Sequence, residues 1–258
     1  MIAEIKDGKM IPYQSLLEAL KIHGGRDRKP RIAAVGAGGK TSLLRALAAE
    51  YRMQGRKPVV TTTTHILKED SPAFIESPDM EELTDILERE GWVFTGGKAD
   101  KGRAGILPEN ILRQVLGLPC PVLIESDGAR MLPVKIPAAH EPVVLPQTTC
   151  VLSVYGLDAV GKRIGETAFR PELMAGFLGK CPEDVLEPRD IALLAESPAG
   201  GRKGVGRDME YVVVLNKADN RQRREMAVEI WSALKEWNDV KMLVTSFPLK
   251  KITHQSDG

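Results

Sequence analysis

Residues 36 to 42 combine the small, basic and hydroxyl side chains that a triphosphate-binding loop requires. They lie between a short apolar run, Arg31 to Val35, and a segment with helical periodicity, Thr41 to Gln54. Small residues let backbone N–H groups approach phosphate oxygens, and a helix N-terminus adds a positive dipole. We predict that Lys40 reaches the β- and γ-phosphates and that Thr41 is a Mg²⁺ ligand. The predicted nucleotide-binding residues of this loop are Gly36, Ala37, Gly38, Gly39, Lys40, Thr41 and Ser42.

The loop departs at one position from G-x-x-x-x-G-K-[ST], the full sequence pattern of phosphate-binding loops. The position of the first glycine is occupied by Ala34. The shorter form, G-x-G-G-K-T, resembles the loop of the Mur ligases, so the departure is compatible with triphosphate binding. The alternative interpretation is a glycine-rich turn with an exposed lysine.

Two carboxylates follow a second apolar run, Pro121 to Ser126. Glu125 and Asp127 are two residues apart, so they point to the same side of an extended strand. At the carboxyl end of a strand beside a phosphate loop, an acid can bind Mg²⁺ directly or through water. We therefore predict a metal site of Thr41 with Glu125 or Asp127, and Asp127 is also a candidate catalytic residue. The alternative is a strand that ends in a polar turn.

A threonine run, Thr61 to Thr64, ends another predicted strand and precedes His65. At that place hydroxyl groups would face the γ-phosphate and the metal. His65 is a candidate catalytic residue, because an imidazole can position a water or contact a phosphate. A β-strand with a surface histidine is the alternative, since threonine is common in strands for its branching alone.

The tetrapeptide Asn-Lys-Ala-Asp at residues 216 to 219 follows the most apolar run of the chain. Asn-Lys-x-Asp is the guanine-reading element of many GTPases, in which the aspartate accepts hydrogen bonds from guanine. We predict that Asn216, Lys217 and Asp219 contact the base, with GTP favoured over ATP. The segment Val244 to Ser246 is expected near the base. A polar turn is the alternative.

Apolar runs alternate with helical segments along most of the chain, which predicts an α/β fold with a mainly parallel β-sheet and helices on both faces. We expect an N-terminal helix and linker at residues 1–30 and a phosphate-loop domain at 31–258. A mostly helical insert is expected at about residues 156–208, with helices at Pro171 to Leu178 and Pro188 to Ala195.

The bulk composition gives no reason to expect nucleic acid or a membrane as a partner. The net charge is +1, and 43% of the residues are hydrophobic, which suffices for a core. No run approaches the roughly 20 apolar residues of a membrane helix, and no secretory leader is recognisable. Cys120, Cys150 and Cys181 form no metal-binding spacing. We expect a cytoplasmic protein with reduced thiols.

Six segments in order resemble the YqeC-type accessory proteins of selenium-dependent molybdenum hydroxylases. They are Gly-Ala-Gly-Gly-Lys-Thr-Ser, Thr-Thr-Thr-Thr-His-Ile, Ile-Glu-Ser-Asp-Gly-Ala-Arg, His-Glu-Pro-Val-Val, Ser-Pro-Ala-Gly-Gly-Arg-Lys-Gly-Val and Leu-Asn-Lys-Ala-Asp. The resemblance implies a P-loop NTPase-like fold, a role in hydroxylase maturation, and a link to selenium or molybdenum cofactor handling. A client hydroxylase is the implied partner. Arg170 to Glu172 also resembles a family segment and is expected to border a substrate pocket.

Three functions are compatible with these residues. The first is a Mg²⁺-dependent NTPase that acts as a maturation factor, with GTP or ATP as its nucleotide. The second is an ATP-dependent ligase or transferase acting on a small selenium-, sulfur- or carboxylate-containing precursor. The third is a chaperone that binds nucleotide without hydrolysing it.

Overall fold

A computed structural model describes residues 1–21, 29–68, 70–100, 102–235 and 240–247. The strands are β1 (Ile2–Lys6), β2 (Lys9–Pro12), β3 (Arg31–Gly36), β4 (Val59–Thr62), β5 (Ile66–Leu67), β6 (Phe74–Glu76), β7 (Val93–Lys98), β8 (Arg103–Gly105), β9 (Val122–Glu125), β10 (Val134–Lys135), β11 (Cys150–Gly156), β12 (Ala168–Phe169), β13 (Glu210–Asn216) and β14 (Lys241–Thr245). The helices are α1 (Leu16–Ala19), α2 (Lys40–Met53), α3 (Met80–Glu90), α4 (Glu109–Gly117), α5 (Ile164–Thr167), α6 (Pro171–Leu178), α7 (Pro188–Glu196) and α8 (Arg221–Lys235).

One large sheet forms the centre of the described chain. Its strand order is β2-β1-β14-β13-β11-β3-β9-β4-β7-β8-β5, with β6 beside β7. The strands from β14 to β7 are mutually parallel, whereas β1 and β2 at one edge and β8 and β5 at the other are antiparallel. After β3 the chain forms β4 and β7 on one side of it and returns to form β9 between β3 and β4. It then forms β11 on the other side of β3, so the strand order reverses at β3. Ligands of open α/β sheets bind at the carboxyl ends of strands near such a reversal.

Both faces of the parallel strands are buried, as their continuous apolar runs predict. On one face, α1 and α2 pack Leu17, Leu43 and Leu47 against alternate residues of β3, β9, β11 and β13. On the other face, α7 and α8 cover one half of the sheet, and α3 and α4 cover the other half. The predicted α/β class, mainly parallel and consistent with a P-loop-like fold, is therefore confirmed.

The N-terminal segment differs from the expected helix and linker. The helix expected within residues 1–30 is only one turn, α1, capped by Ser15. Two unpredicted strands, β1 and β2, form a hairpin that adds to the sheet edge through β14. Most of the expected linker lies outside the described residues. The hairpin closes the edge of β14, because β1 supplies its backbone hydrogen bonds.

The regular elements between β11 and β13 are helices, apart from the two residues of β12. The helices predicted at Pro171 to Leu178 and Pro188 to Ala195 are confirmed as α6 and α7. α7 packs on α8, and a two-stranded parallel sheet joins β10 to β12. No helix in the described ranges is long and apolar enough to span a membrane.

Candidate functional site

The phosphate loop leaves β3 and enters α2 with three glycines in left-handed backbone conformations. Their φ angles are 88° at Gly36, 86° at Gly38 and 122° at Gly39. A Cβ atom at Gly38 would lie 2.3 Å from the backbone nitrogen of Gly156 and 2.7 Å from the carbonyl oxygen of Pro133. Only glycine satisfies both the conformation and the close approach at this position. The loop is thus held in a fixed curve between its neighbouring segments.

The loop supplies amide donors at the start of α2. The N–H of Ala37 donates to Val154 O and that of Gly38 to Leu132 O, so these two amides anchor the loop. Gly39 is the N-cap of α2 and provides no side-chain cap. The first-turn N–H groups of a helix have no carbonyl partner within the helix, and here they belong to Lys40, Thr41 and exposed Ser42. These groups and the helix dipole form an anion-binding end.

Lys40 is folded back into the loop. Its Nζ atom donates to Gly36 O at 2.6 Å and lies 3.1 Å from Asp127 Oδ1, with 3% of the side chain exposed. An ammonium group held inside the curve of the loop is positioned to exchange a carbonyl oxygen for a phosphate oxygen. That Lys40 reaches the β- and γ-phosphates stays a prediction.

Thr41 and Glu125 form the closest pair between the loop and the acidic strand end. The Thr41 hydroxyl donates to Glu125 Oε2 at 2.6 Å. Burial raises the pKa of the Glu125 carboxyl, while the charge of Lys40 and the Thr41 hydrogen bond oppose that rise. Thr62 Oγ1 donates to the backbone oxygen of Glu125 and so fixes the end of β9. A hydroxyl and a carboxylate side by side are the oxygen ligands that Mg²⁺ accepts.

Asp127 has different partners from Glu125. Its Oδ2 atom accepts from the N–H of Gly36 at 3.0 Å and lies 3.2 Å from Lys135 Nζ, while Oδ1 faces Lys40. The carboxylate is therefore enclosed by two lysines and one loop amide. Of the two metal candidates that the sequence left open, Glu125 is the one in contact with Thr41.

Lys135 is a buried residue of the site that we did not expect from the sequence. None of its side chain is exposed, and its Nζ atom contacts Gly128 O at 2.7 Å and Glu141 Oε2 at 2.8 Å. Glu141 in turn pairs with Arg170 at 2.7 Å. Burial would raise the pKa of Glu141, but hydrogen bonds from Arg170 and Lys135 outweigh it and lower the pKa to about 2. The charged side chains of Lys40, Asp127, Lys135, Glu141 and Arg170 thus alternate in sign; we call them the charge ladder.

The threonine run lies beside the acidic strand end, but His65 is not joined to it. Thr62 pairs in register with Glu125, and Thr63 Oγ1 donates to Val143 O. Thr61 Oγ1 is buried without a hydrogen-bond partner. The side chain of His65 is exposed, and in the described chain it makes no hydrogen bond or ion pair. The contacts therefore place Thr62 next to the site and give His65 no partner there.

Asn216 connects the predicted base-reading segment to the phosphate loop. Its Nδ2 atom donates to Gly38 O at 2.8 Å, and its Oδ1 atom accepts from Thr245 Oγ1 at 2.9 Å. Asp219 accepts from Ser246 Oγ at 2.6 Å and from Arg223 Nη1 at 2.9 Å. The expected convergence of this segment with the end of β14 is thus present, although both Asp219 oxygens have protein partners.

Lys217 stands in a left-handed conformation with φ of 63° and pairs with Asp158 at 2.8 Å. This contact ties the segment after β13 to the turn after β11.

No group of three or more His, Cys, Asp or Glu side chains that could hold a metal is found among the described residues. Thr41 and Glu125 therefore fit Mg²⁺ only if phosphate oxygens and water complete its shell, which is how Mg²⁺ commonly binds with nucleotides. The hydroxyl–carboxylate pair beside the loop meets that requirement. Cys120, Cys150 and Cys181 are free thiols, and Cys181 alone is exposed.

Residues 32–172 match the family model described as YqeC protein. The chain is also 34% identical over 206 residues to YqeC of Escherichia coli (strain K12), an alignment that covers 77% of this chain and 80% of that protein. Both matches agree with the resemblance that the ordered sequence segments predicted.

Proposed function

The chain belongs to the YqeC family, and from the geometry of its phosphate loop we propose that it binds and hydrolyses a nucleoside triphosphate with Mg²⁺. The observation that carries the proposal is the 2.6 Å contact of Thr41 with Glu125 next to the buried Lys40. A simple glycine-rich turn has no need to bring a hydroxyl, a carboxylate and an ammonium group together at a helix N-terminus.

Each group has a distinct part in this proposal. The first-turn amides of α2 receive phosphate oxygens, and Lys40 turns from Gly36 O to the β- and γ-phosphates. Thr41 and Glu125 hold Mg²⁺, which supplies positive charge against the charge that develops on the transferring phosphoryl group. Asp127 keeps Lys40 inside the loop by its ion pair. Catalysis is then mainly electrostatic, because the donors are already positioned before the reaction.

The base is proposed to lie at Asn216 and Asp219. A carboxylate oxygen can accept two hydrogen bonds, so Asp219 retains capacity for a guanine while it contacts Arg223 and Ser246. Asn216 sets the distance between this segment and the phosphate loop through Gly38. GTP is accordingly the favoured nucleotide, and ATP is the alternative.

The biological role that we propose is maturation of selenium-dependent molybdenum hydroxylases, with such a hydroxylase or its cofactor-handling proteins as partner. Support comes from the resemblance of the six ordered sequence segments to such accessory proteins, while the family match itself shows only membership of the YqeC family. Nucleotide turnover that changes when a client is added would separate a hydrolysing factor from a non-hydrolysing chaperone.

Phosphate release from Mg²⁺ with GTP or ATP tests the proposal. The wild type is expected to hydrolyse one of them, and Lys40→Ala to lose that activity. Lys57→Ala is a matched control, because Lys57 is a surface lysine paired with Glu88. A folded Lys40→Ala variant with full activity would refute the site.

A ligase or transferase is the second candidate, favoured by the cationic side chains of Arg130 and Arg170 beside the ring of Phe169. It predicts turnover that rises sharply when a small acceptor is added. A rate that stays flat with every acceptor would exclude it.

A further inference from the structure

Three cationic side chains surround the ring of Phe169. Arg170 Cζ lies 4.3 Å from the ring centroid, Arg130 Cζ lies 5.4 Å from it, and Lys135 Nζ lies 5.5 Å from it. The pairing of β10 with β12 builds this cluster, because it places Lys135 opposite Phe169. Cation–π attraction offsets part of the repulsion between the three like charges.

The cluster has more positive charge than its acids neutralise. Lys135 and Arg170 share Glu141, and Lys135 also faces Asp127, which is already paired with Lys40. Arg130 is exposed, and within the described ranges its side chain makes no hydrogen bond or ion pair beyond its contact with Phe169. Arg170 uses Nη1 for Glu141, and its other N–H donors have no partner in the same ranges. Two guanidinium groups therefore present free donors beside one ring.

The cluster adjoins the phosphate loop through the segment that carries Arg130. Leu132 O accepts from the Gly38 N–H at 3.1 Å, and Pro133 O accepts from the Gly156 N–H at 2.8 Å. Arg130 thus stands two residues from a direct contact with the loop. Arg170 is linked to Lys40 by the successive ion pairs of the charge ladder, through Glu141, Lys135 and Asp127.

We propose that Arg130 and Arg170 bind a small oxyanion, a phosphate or carboxylate group, at a second site distinct from the phosphate loop. Guanidinium groups recognise such oxyanions through paired N–H donors. In the ligase or transferase alternative of the proposed function, on which this part rests, the oxyanion belongs to the acceptor substrate. Ile136 and Glu172, which follow Lys135 and Arg170 closely in the chain, are among the residues that line a cavity of about 420 Å³.

The test is calorimetric titration of the nucleotide-free protein with inorganic phosphate and with acetate at fixed ionic strength. Binding of at least one anion is expected, with affinity lowered about tenfold or more in Arg130→Gln and in the Arg130→Gln/Arg170→Gln double variant. Lys40→Ala should retain the binding. Arg113→Gln is the control, since Arg113 is an exposed arginine on α4. Arg130→Gln is expected to fold, because Arg130 is exposed and only its ring contact is lost; a thermal melt checks this.

Three results would overturn the inference: no binding of either anion, equal binding by wild type and Arg130→Gln, or loss of binding in Lys40→Ala alone. Nucleotide binding is measured separately on the same variants. A protein that binds phosphate through Arg130 but no nucleotide would refute the proposed function and leave the oxyanion site intact. A protein that binds nucleotide but shows no Arg130-dependent anion binding would refute the oxyanion site and leave the proposed function intact.

Discussion

Glu125 and Asp127 lie two residues apart at the end of β9, but the surroundings of the two carboxylates differ. Glu125 contacts a hydroxyl, Thr41, and its second oxygen has no hydrogen-bond partner among the described residues. Asp127, two residues further, is enclosed by Lys40, Lys135 and the Gly36 amide. Glu125 keeps one oxygen without a protein partner in the described chain, whereas both oxygens of Asp127 face lysine side chains, and Asp127 Oδ1 is buried without a hydrogen bond. On this ground we propose Glu125, rather than Asp127, as the metal ligand.

The energetic consequences of the two arrangements also differ. A buried ion pair contributes little net stability, but removal of one partner leaves an uncompensated buried charge. The charge ladder should thus be sensitive to mutation in the absence of any nucleotide. The Thr41–Glu125 pair should instead show its importance only when Mg²⁺ and nucleotide are present.

The largest expected effect is on the charge ladder. Lys135→Ala leaves Asp127 and Glu141 each with one partner fewer, and we expect a loss of about 3 to 5 kcal/mol in the free energy of unfolding. Urea denaturation measures this value. The exposed-pair variant Lys57→Ala should lose less than about 1 kcal/mol. Equal losses in the two variants would show that the ladder is not stabilised as a buried unit.

The next effect separates the two carboxylates by their metal dependence. Glu125→Gln removes a proposed Mg²⁺ ligand and should weaken Mg²⁺-dependent nucleotide binding by at least about tenfold. Binding in the presence of EDTA should change little. Asp127→Asn should lower nucleotide affinity with and without Mg²⁺ alike, because it acts through Lys40 and the loop. If instead only Asp127→Asn weakened binding in a Mg²⁺-dependent way, Asp127 rather than Glu125 would be the metal ligand.

The base-reading segment gives a smaller expected effect. Asp219→Ala should reduce the preference for GTP over ATP by about tenfold, or about 1.4 kcal/mol, because the guanine would lose its acceptor. Displacement of one bound fluorescent nucleotide analogue by GTP and by ATP measures the ratio of the two affinities. Arg221→Ala is a control, since Arg221 is an exposed arginine that pairs with Glu225 rather than Asp219. An unchanged ratio would assign residues 216 to 219 to a structural turn.

The smallest expected effect concerns acid stability. The lowered pKa of Glu141, about 2, lies below its unfolded value, so its stabilising contribution is present above about pH 4.5 and is lost as the pH falls towards 2. Glu141→Gln should therefore be less stable than the wild type by about 1 kcal/mol at pH 7, after allowance for solvent screening. The difference should shrink below pH 4.5. Thermal melts across pH 3 to 7 measure it, and a difference independent of pH would contradict the ionic role of Glu141.

The phosphate loop was predictable because its elements are local in sequence. An apolar strand, three glycines and a helix with Lys40 at its start follow one another directly, and each has a composition typical of its structure. Glu125 was expected beside the loop because the carboxyl ends of parallel strands lie along one edge of a sheet. The segment Val244 to Ser246 was expected near the base, and in the fold Thr245 of that segment contacts Asn216.

The charge ladder could not be predicted in the same way. Lys135 stands between apolar residues in no motif, and its role depends on the pairing of β10 with β12, which are more than thirty residues apart. The hairpin of β1 and β2 was missed for a similar reason, because its short strands gain their partner only from β14 at the other end of the chain. His65 is exposed, and its predicted role in positioning a water or contacting a phosphate stays a prediction, because the fold gives it no protein partner among the described residues.

The central claim is that residues 36 to 42 bind the triphosphate of a nucleotide. Calorimetric titration with non-hydrolysable GTP and ATP analogues and Mg²⁺ tests it most directly. We expect the wild type to bind at least one analogue, with the guanine analogue favoured, and a folded Lys40→Ala variant to lose the binding. Absence of binding by a folded wild type, or equal binding by Lys40→Ala, would contradict the account.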